Sequence, residues 1–588
     1  MHKNSKTLET AVAAHRAGRL DEARALYEAA ARERPANSHA MRGLGQLEFQ
    51  SGRYPAAVRH FEAASHSAPD DSSIRVELSR ALAADERLKD AATVLEDCLI
   101  RFGENASLRF NLAMIQLRDG EPASAAASLE RVLDADPAHR KAIAHLSRIY
   151  QQTGRTGEAA SLLERALAAE PEDRVALLGL AALREDQGQE QDALDLLERA
   201  AAVATPDAPE AHVRFSRLLE HRGDESRALA VAIAGTELCG GHDIAWRHLG
   251  DLLKRLNRLP EAVAAFERAH AILRKPGTRY GLDRPEIRRT NRAKLRHDIE
   301  QLEYLRDRGV PVPGLEQKLV EHRRLAAALP ADLQAGDVVG LPPNALTQLG
   351  GNYNRCMHRA TAPEIEAGAL NPGLDTAAIV ADYRERQPGI TWIDDFLRPE
   401  AVASLRRYLL ESTIWYDADH PNGYVGTYLH DGFTCPLVLQ IARELPALLP
   451  AIFGDRPLLQ LWAYHYDSHL AGIGMHADFA AVNVNFWLTP TESMLDQKSG
   501  GMVVWNKEAP KDWTYRDYNT ADPDTKRQID TFLDEAGAQQ IRIPHRQNRV
   551  VIFNSDLFHR TDDIRFMDGF ENRRINVTML YGHRDREG

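Results

Sequence analysis

The sequence predicts a multidomain α + β protein, an N-terminal α-solenoid followed by a C-terminal domain of short antiparallel strands with flanking helices. Small and bulky residues recur every 34 residues through the first half, and that rhythm stops near Lys275. From Leu459 the helical period gives way to alternation of the strand type. With 588 residues the chain is too long for one hydrophobic core, and with 44% hydrophobic residues it is too apolar for wholesale disorder.

Gly18, Gly52, Gly120, Gly154 and Gly188 share one 34-residue register, with Glu86 at the missing rung. Five residues later run Ala23, Ala57, Ala91, Ala125, Ala159 and Ala193, slipping by one residue to Ala228 and Ala262. A third ladder is bulky: Tyr27, Phe61, Leu95, Leu129, Leu163, Leu197 and Phe266. Pro35, Pro69, Pro137 and Pro171 close most units. Glycine permits the tight turn between two helices, alanine lets their backbones approach, the large residue fills the gap, and proline ends the second helix. The pattern resembles a tetratricopeptide repeat array, with Leu44-Gly45 and Trp246-Arg247-His248-Leu249-Gly250 matching the first-helix signature. The likeness spans about residues 5 to 272 in roughly eight units, and residues 1–272 are assigned to this domain. It implies an inner groove that receives a protein or peptide partner.

Residues 273–385 read as a helical cap and linker. Pro285 to Arg308 predicts one charged helix with Leu295, Ile299, Leu302 and Leu305 on its apolar side, and Leu315 to Leu329 a second, stopped by Pro330. Residues 330 to 385, broken by Gly340-Leu341-Pro342-Pro343 and Gly350-Gly351, read as connection.

Residues 386–588 form the third region. It opens with a strand at Gly389 to Leu397 and a helix from Pro399 to about Leu410, followed by an aromatic loop from Trp415 to Phe433 and helix from Pro436 to before Gly454. Strands are expected at Leu459 to Tyr466, Ala481 to Leu488, Met502 to Trp505, Ile541 to Ile543, Arg549 to Asn554 and Arg574 to Tyr581. Short strands without a βαβ rhythm indicate an antiparallel sandwich or barrel.

The chemistry centres on His476-Ala477-Asp478. Two rivals, His465-Tyr466-Asp467 and His583-Arg584-Asp585, carry the same spacing, so the triplet alone decides nothing. Its surroundings do. Tyr466, a glycine-containing loop, His476 and Asp478, Gly500-Gly501, the run Val551 to Ser555 leading to His559, and Arg574-Ile575-Asn576-Val577-Thr578 follow in one order. That order resembles the iron(II) and 2-oxoglutarate-dependent dioxygenases of the prolyl-hydroxylase-like branch, over about residues 386 to 583. The resemblance implies a double-stranded β-helix, a jelly-roll relative, with Fe(II) as metal, 2-oxoglutarate and dioxygen as cosubstrates, and ascorbate admitted. The implied reaction is oxidative decarboxylation of 2-oxoglutarate coupled to C–H hydroxylation. Asp478 stands where halogenating relatives carry a small residue.

Residues i and i+2 of a strand share a face, so His476 and Asp478 can grip one ion, and His559 completes a two-histidine, one-carboxylate set that leaves positions open. Ile575, Val577 and Met579 form one face of the last strand, placing Arg574, Asn576 and Thr578 on the other. Arg574 is therefore chosen as carboxylate partner of 2-oxoglutarate and Arg573 is placed at the surface. Tyr466 and Asn576 are further cosubstrate candidates. The long insertion from Thr489 to Gln540, with Gly500-Gly501, Trp505, Trp513, Tyr515, Tyr518 and a helix from Pro523 to Ala536, is expected either to cover the site or to pack on the barrel.

The net charge of -12 argues against nucleic acid and anionic membrane as partners. Four dispersed cysteines, Cys98, Cys239, Cys356 and Cys435, and the lack of a signal-peptide pattern point to a cytoplasmic setting. The leading expectation is a hydroxylase of a protein or peptide recruited by the repeats. Hydroxylation of a small metabolite, lipid or saccharide is one alternative, and a non-catalytic scaffold another.

Overall fold

The structure, a computed structural model, describes residues 2–33, 37–342, 345–346, 349–420, 423–467, 472–513, 518 and 523–583. Pro35, Pro343, Tyr515, Arg584 and Asp585 lie outside these residues. The chain divides into two compact units, Met1–Val231 and Ala232–Gly588. The division falls inside the helix Glu225–Leu238, whereas the helical repeat runs on to Leu273.

The first unit is a succession of helical hairpins, from His2–Arg16 with Leu20–Glu33 to Glu210–His221 with the start of Glu225–Leu238. Every alanine of the ladder from Ala23 to Ala228 is completely buried. Backbones approach closely here: a Cβ on Gly45 would come within 2.7 Å of the Phe61 ring. The turn glycines take left-handed backbone, Gly18 at φ 74° and Gly120 at 78°, and Glu86 adopts the same conformation at φ 61° despite its side chain. One further ladder was not recognised in the sequence. Asn37, Asp71, Asn105, His139 and Asp173 stand 34 residues apart and each caps the first helix of its unit with a side-chain acceptor.

The second unit opens with the rest of that helix and the last hairpin, Asp243–Arg255 and Leu259–Leu273. This hairpin is built into the β-rich region. Glu267 pairs with Arg359 at 2.6 Å, His270 Nε2 lies 3.2 Å from the Tyr416 hydroxyl, and the buried Arg274 is held by Asp431 and lies 3.9 Å over the Tyr416 ring. The expected helix from Pro285 to Arg308 is broken. Pro285–Arg288 is one turn, β1 (Arg289–Thr290) pairs with β2 (Val339–Gly340), and Asn291 then caps Arg292–Asp307 by accepting from Lys294 N at 2.7 Å. Pairing with β2 forces extended backbone on two residues that helical periodicity would have carried through. The stretch read as connection is also firmly packed: Tyr353 and Arg355 are buried, and Arg355 donates to the Leu273 and Tyr280 carbonyls.

Among the described residues nine further strands follow, β3 (Ile390–Ile393), β4 (Val425–Tyr428), β5 (Leu458–His465), β6 (Ala480–Trp487), β7 (Met502–Glu508), β8 (Gln540–Ile543), β9 (Val550–Asn554), β10 (Leu557–Thr561) and β11 (Ile575–His583). They form a six-stranded antiparallel sheet in the order β3-β9-β6-β11-β5-β4 and a three-stranded one in the order β10-β7-β8. The strand β4 lies within what the sequence presents as an aromatic loop. Ile390, Trp487, Val551 and Phe553 of the large sheet share one apolar cluster with Met502, Val504, Ile543 and Leu557 of the small one. The helix Arg292–Asp307 packs on the large sheet through His297, whose Nε2 lies 3.0 Å from His465 Nδ1.

Candidate metal centre

His476 and His559 exchange both backbone hydrogen bonds, at 3.0 and 2.8 Å, in an isolated bridge between the segment before β6 and strand β10. Asp478 N–H donates to the Ser555 carbonyl at 3.1 Å. The triplet thus precedes the strand instead of lying in it, since β6 starts at Ala480. The bridge supplies the alignment that a continuous strand was expected to give.

One ligand atom from each of His476, Asp478 and His559 lies within 4.8 Å of the others, and no other such trio of His, Cys, Asp or Glu occurs among the described residues. His559 Nε2 stands 3.6 Å from Asp478 Oδ2, and His476 Nε2 stands 3.9 Å from Asp478 Oδ1. The tautomers follow from the neighbours. His476 Nδ1 faces the Gly474 carbonyl at 2.9 Å and His559 Nδ1 the Leu557 carbonyl at 3.0 Å. A carbonyl can only accept, so each Nδ1 carries the hydrogen and each Nε2 offers its lone pair inward. Burial, aided by His476, holds the His559 imidazole well below its ordinary pKa, in the neutral form that binds metals. Burial raises the Asp478 carboxyl, against the opposing pull of His476 and a hydrogen bond from Asn483 Nδ2 at 2.5 Å. Two imidazole nitrogens and a carboxylate fit Fe(II) and similar divalent ions.

Arg574 sits just before β11 and is buried. Its Nε donates to Gly500 O at 2.7 Å and Nη2 to Gly501 O at 3.2 Å, so the glycine pair of the long insertion holds this arginine. A Cβ on Gly501 would collide with the Ile543 carbonyl. Arg574 Nη1 is buried without a hydrogen-bond partner among the described residues, and the guanidinium lies 4.6 Å over the Tyr466 ring. A buried cation with an uncommitted N–H fits a carboxylate. Tyr466, Arg574 and Asn576 share with the three metal-ligand candidates a cavity of about 390 Å³, its open mouth included. Both amide hydrogens of Asn576 are committed, to Asn485 Oδ1 at 2.9 Å and Thr578 Oγ1 at 2.8 Å.

The rivals are placed elsewhere. His465 is buried against His297, and Asp467 is paired with Arg296 at 2.7 Å, away from the cavity. Arg573, expected at the surface, is 6% exposed and pairs with Glu300 at 2.6 Å. Arg573 points away from the cavity, to the side of the strand that the helix Arg292–Asp307 covers through Glu300. Trp505 and Tyr518 are buried with Val503, Phe558, Ile529 and Leu533, and Trp513 lies tilted against Phe532 with ring centroids 5.5 Å apart. These aromatics pack the helix Pro523–Glu535 onto β7 and β10. Trp462 was missed as a site residue. It lines the cavity, and its place on the Tyr466 side of β5 was the available signal.

Sequence models of one family, described as tetratricopeptide repeat, match residues 14–78, 116–183 and 150–212, and 76–140. The N-terminal helical hairpins are tetratricopeptide repeats. A tetratricopeptide repeat protein from Parabacteroides merdae is 15% identical, matching 42% of this chain and 98% of its own at TM-score 0.32. Yeast Tom70 is 14% identical over 44% of this chain and 55% of its own, at TM-score 0.35. YrrB, described as having an unusual peptide-binding site, is 16% identical over 30% of this chain and 91% of its own, at TM-score 0.26. No curated protein matches the chain. No helix among the described residues is long and apolar enough to cross a membrane.

Proposed function

We propose that this chain is an iron(II)- and 2-oxoglutarate-dependent dioxygenase that hydroxylates a protein or peptide brought to it by its tetratricopeptide repeats. The observation that carries the reading is the convergence of His476, Asp478 and His559 within 4.8 Å in a cavity that Arg574, with its Nη1 lacking a hydrogen-bond partner among the described residues, also lines. On this reading the two antiparallel sheets are the halves of a double-stranded β-helix. The small sheet contributes His559, and the segment entering the large sheet contributes His476 and Asp478.

Fe(II) held there with 2-oxoglutarate and dioxygen supplies the oxidant for C–H hydroxylation, leaving succinate and CO2. The chain's own residues bind and orient. His476 and His559 present fixed Nε2 lone pairs, Asn483 orients the Asp478 carboxylate, and Arg574 takes the far carboxylate of the cosubstrate from a buried position where charge-assisted hydrogen bonds are strong. Tyr466 supports the guanidinium by its ring face. The repeat groove supplies the partner surface, as such arrays commonly do. Iron-dependent conversion of 2-oxoglutarate to succinate tests the reading.

A further inference from the structure

The large sheet carries a chain of amides whose polarity is fixed from one end. The run of hydrogen bonds starts at Asp478, toward whose carboxyl oxygen a neighbouring amide turns its nitrogen. Asn483 does so, and its oxygen then faces Asn485, whose Nδ2 donates to it at 2.5 Å. Asn485 Oδ1 in turn accepts from Asn576 Nδ2 at 2.9 Å and from the Thr578 hydroxyl at 2.7 Å. Thr578 Oγ1 accepts the second amide hydrogen of Asn576 at 2.8 Å. Reversing any one of these amides would set oxygen against oxygen. The last member ends with its oxygen uncommitted: Asn576 Oδ1 is buried without a partner among the described residues.

An acceptor there is a poor match for 2-oxoglutarate, whose carboxylates also only accept. It calls for a ligand with an N–H or O–H. A complementary donor stands on the next strand. Trp462 Nε1 is likewise buried and unpartnered among the described residues, and Trp462 and Asn576 both line the cavity of the metal-ligand candidates. Trp462 pairs with Thr578 across the ladder, so Asn576 is its diagonal neighbour on the same face. Such neighbours lie roughly 7–8 Å apart along the sheet. At that spacing long and aromatic side chains still reach a common ligand, and both of these line the cavity.

We propose that Asn576 Oδ1 and Trp462 Nε1 form a subsite for an amide group of the substrate, the amide N–H donating to Asn576 and its carbonyl accepting from Trp462. The substrate class is thereby a peptide or carboxamide. The proposal rests on the oxygenase reading for what happens to the bound group, but the subsite itself is tested without turnover.

The full chain, labelled with 15N at tryptophan, has seven indole signals, and that of Trp462 is assigned by its loss in Trp462→Phe. It is titrated with N-methylacetamide and with methyl acetate, which has the same shape but lacks the N–H. The amide is expected to shift the Trp462 signal saturably and to bind about fivefold or more tighter than the ester, the worth of one hydrogen bond. Asn576→Leu should erase that difference. If the variant does not fold, the amide-to-ester comparison on the unaltered chain decides alone. Equal binding of the two probes, or no saturable shift with either, overturns the proposal. So does displacement of the amide by 2-oxoglutarate with its own shift of the Trp462 signal, which would give the pair to the cosubstrate. Failure of the oxygenase reading would show separately, as no iron-dependent succinate.

Discussion

His559 and His465 are both buried histidines, yet their surroundings give them opposite uses. His559 turns a fixed lone pair toward Asp478, while His465 faces His297 at 3.0 Å. His559→Ala should therefore weaken Co(II) binding, followed by calorimetry, by more than about 100-fold, given that even supporting residues of a metal site are worth 10–100-fold. His465→Ala should leave the affinity within a few-fold, and loss of binding there would mean that the ligands are misassigned. A second prediction concerns acid. Burial pushes His270 and His297 down to about 4 from the ordinary 6.5. Because the folded values are depressed, the unfolded chain takes up protons that these histidines refuse. Their contribution to stability is fully present above pH 6.5 and is lost as pH falls from 6.5 toward 4, by about 2 kcal/mol per histidine at pH 5. All seven tryptophans lie in the second unit, so a urea midpoint read by tryptophan fluorescence should fall from pH 7 to pH 5. A smaller fall in His270→Asn would tie part of the effect to that residue. The ligand candidates were legible because their residue types are rare together in that order. The burial of Arg573 was not, because it depends on a helix more than 260 residues upstream in sequence.

Among elements, the repeats were the most legible, since a single period repeats the same packing problem. Alanine appears wherever two helices touch, and the structure buries each one completely. The capping ladder escaped notice because its members, Asn, Asp and His, differ in type while sharing one task. Asn105 is the clearest, accepting from Ser107 N at 3.0 Å and Leu108 N at 3.1 Å. Asn105→Ala should cost about 1 kcal/mol and speed hydrogen exchange first in the helix Ala106–Arg118. Unchanged exchange there would deny the cap an energetic role. Strand periodicity was less informative. The site triplet proved to be a bridge and β4 was hidden in an aromatic stretch, because short strands are defined by what they pair with more than by their own composition.

For the whole molecule, the repeat pattern and the compact units end at different places. The last hairpin belongs by sequence to the array and by packing to the second unit. Removing residues 1–231 should leave the tryptophan-reported transition near its original midpoint. Removing 1–272 deletes Glu267 and His270, strands the half-buried Arg359 without its carboxylate, and should lower that midpoint measurably. Equal midpoints for the two truncations would show that the hairpin is only attached. The deciding measurement for the account as a whole is succinate formation by the purified full chain supplied with Fe(II), 2-oxoglutarate and oxygen. Iron-dependent succinate is expected, slow without a substrate peptide, and none from Asp478→Ala; no succinate from the unaltered chain, or equal amounts from both, would contradict the dioxygenase reading.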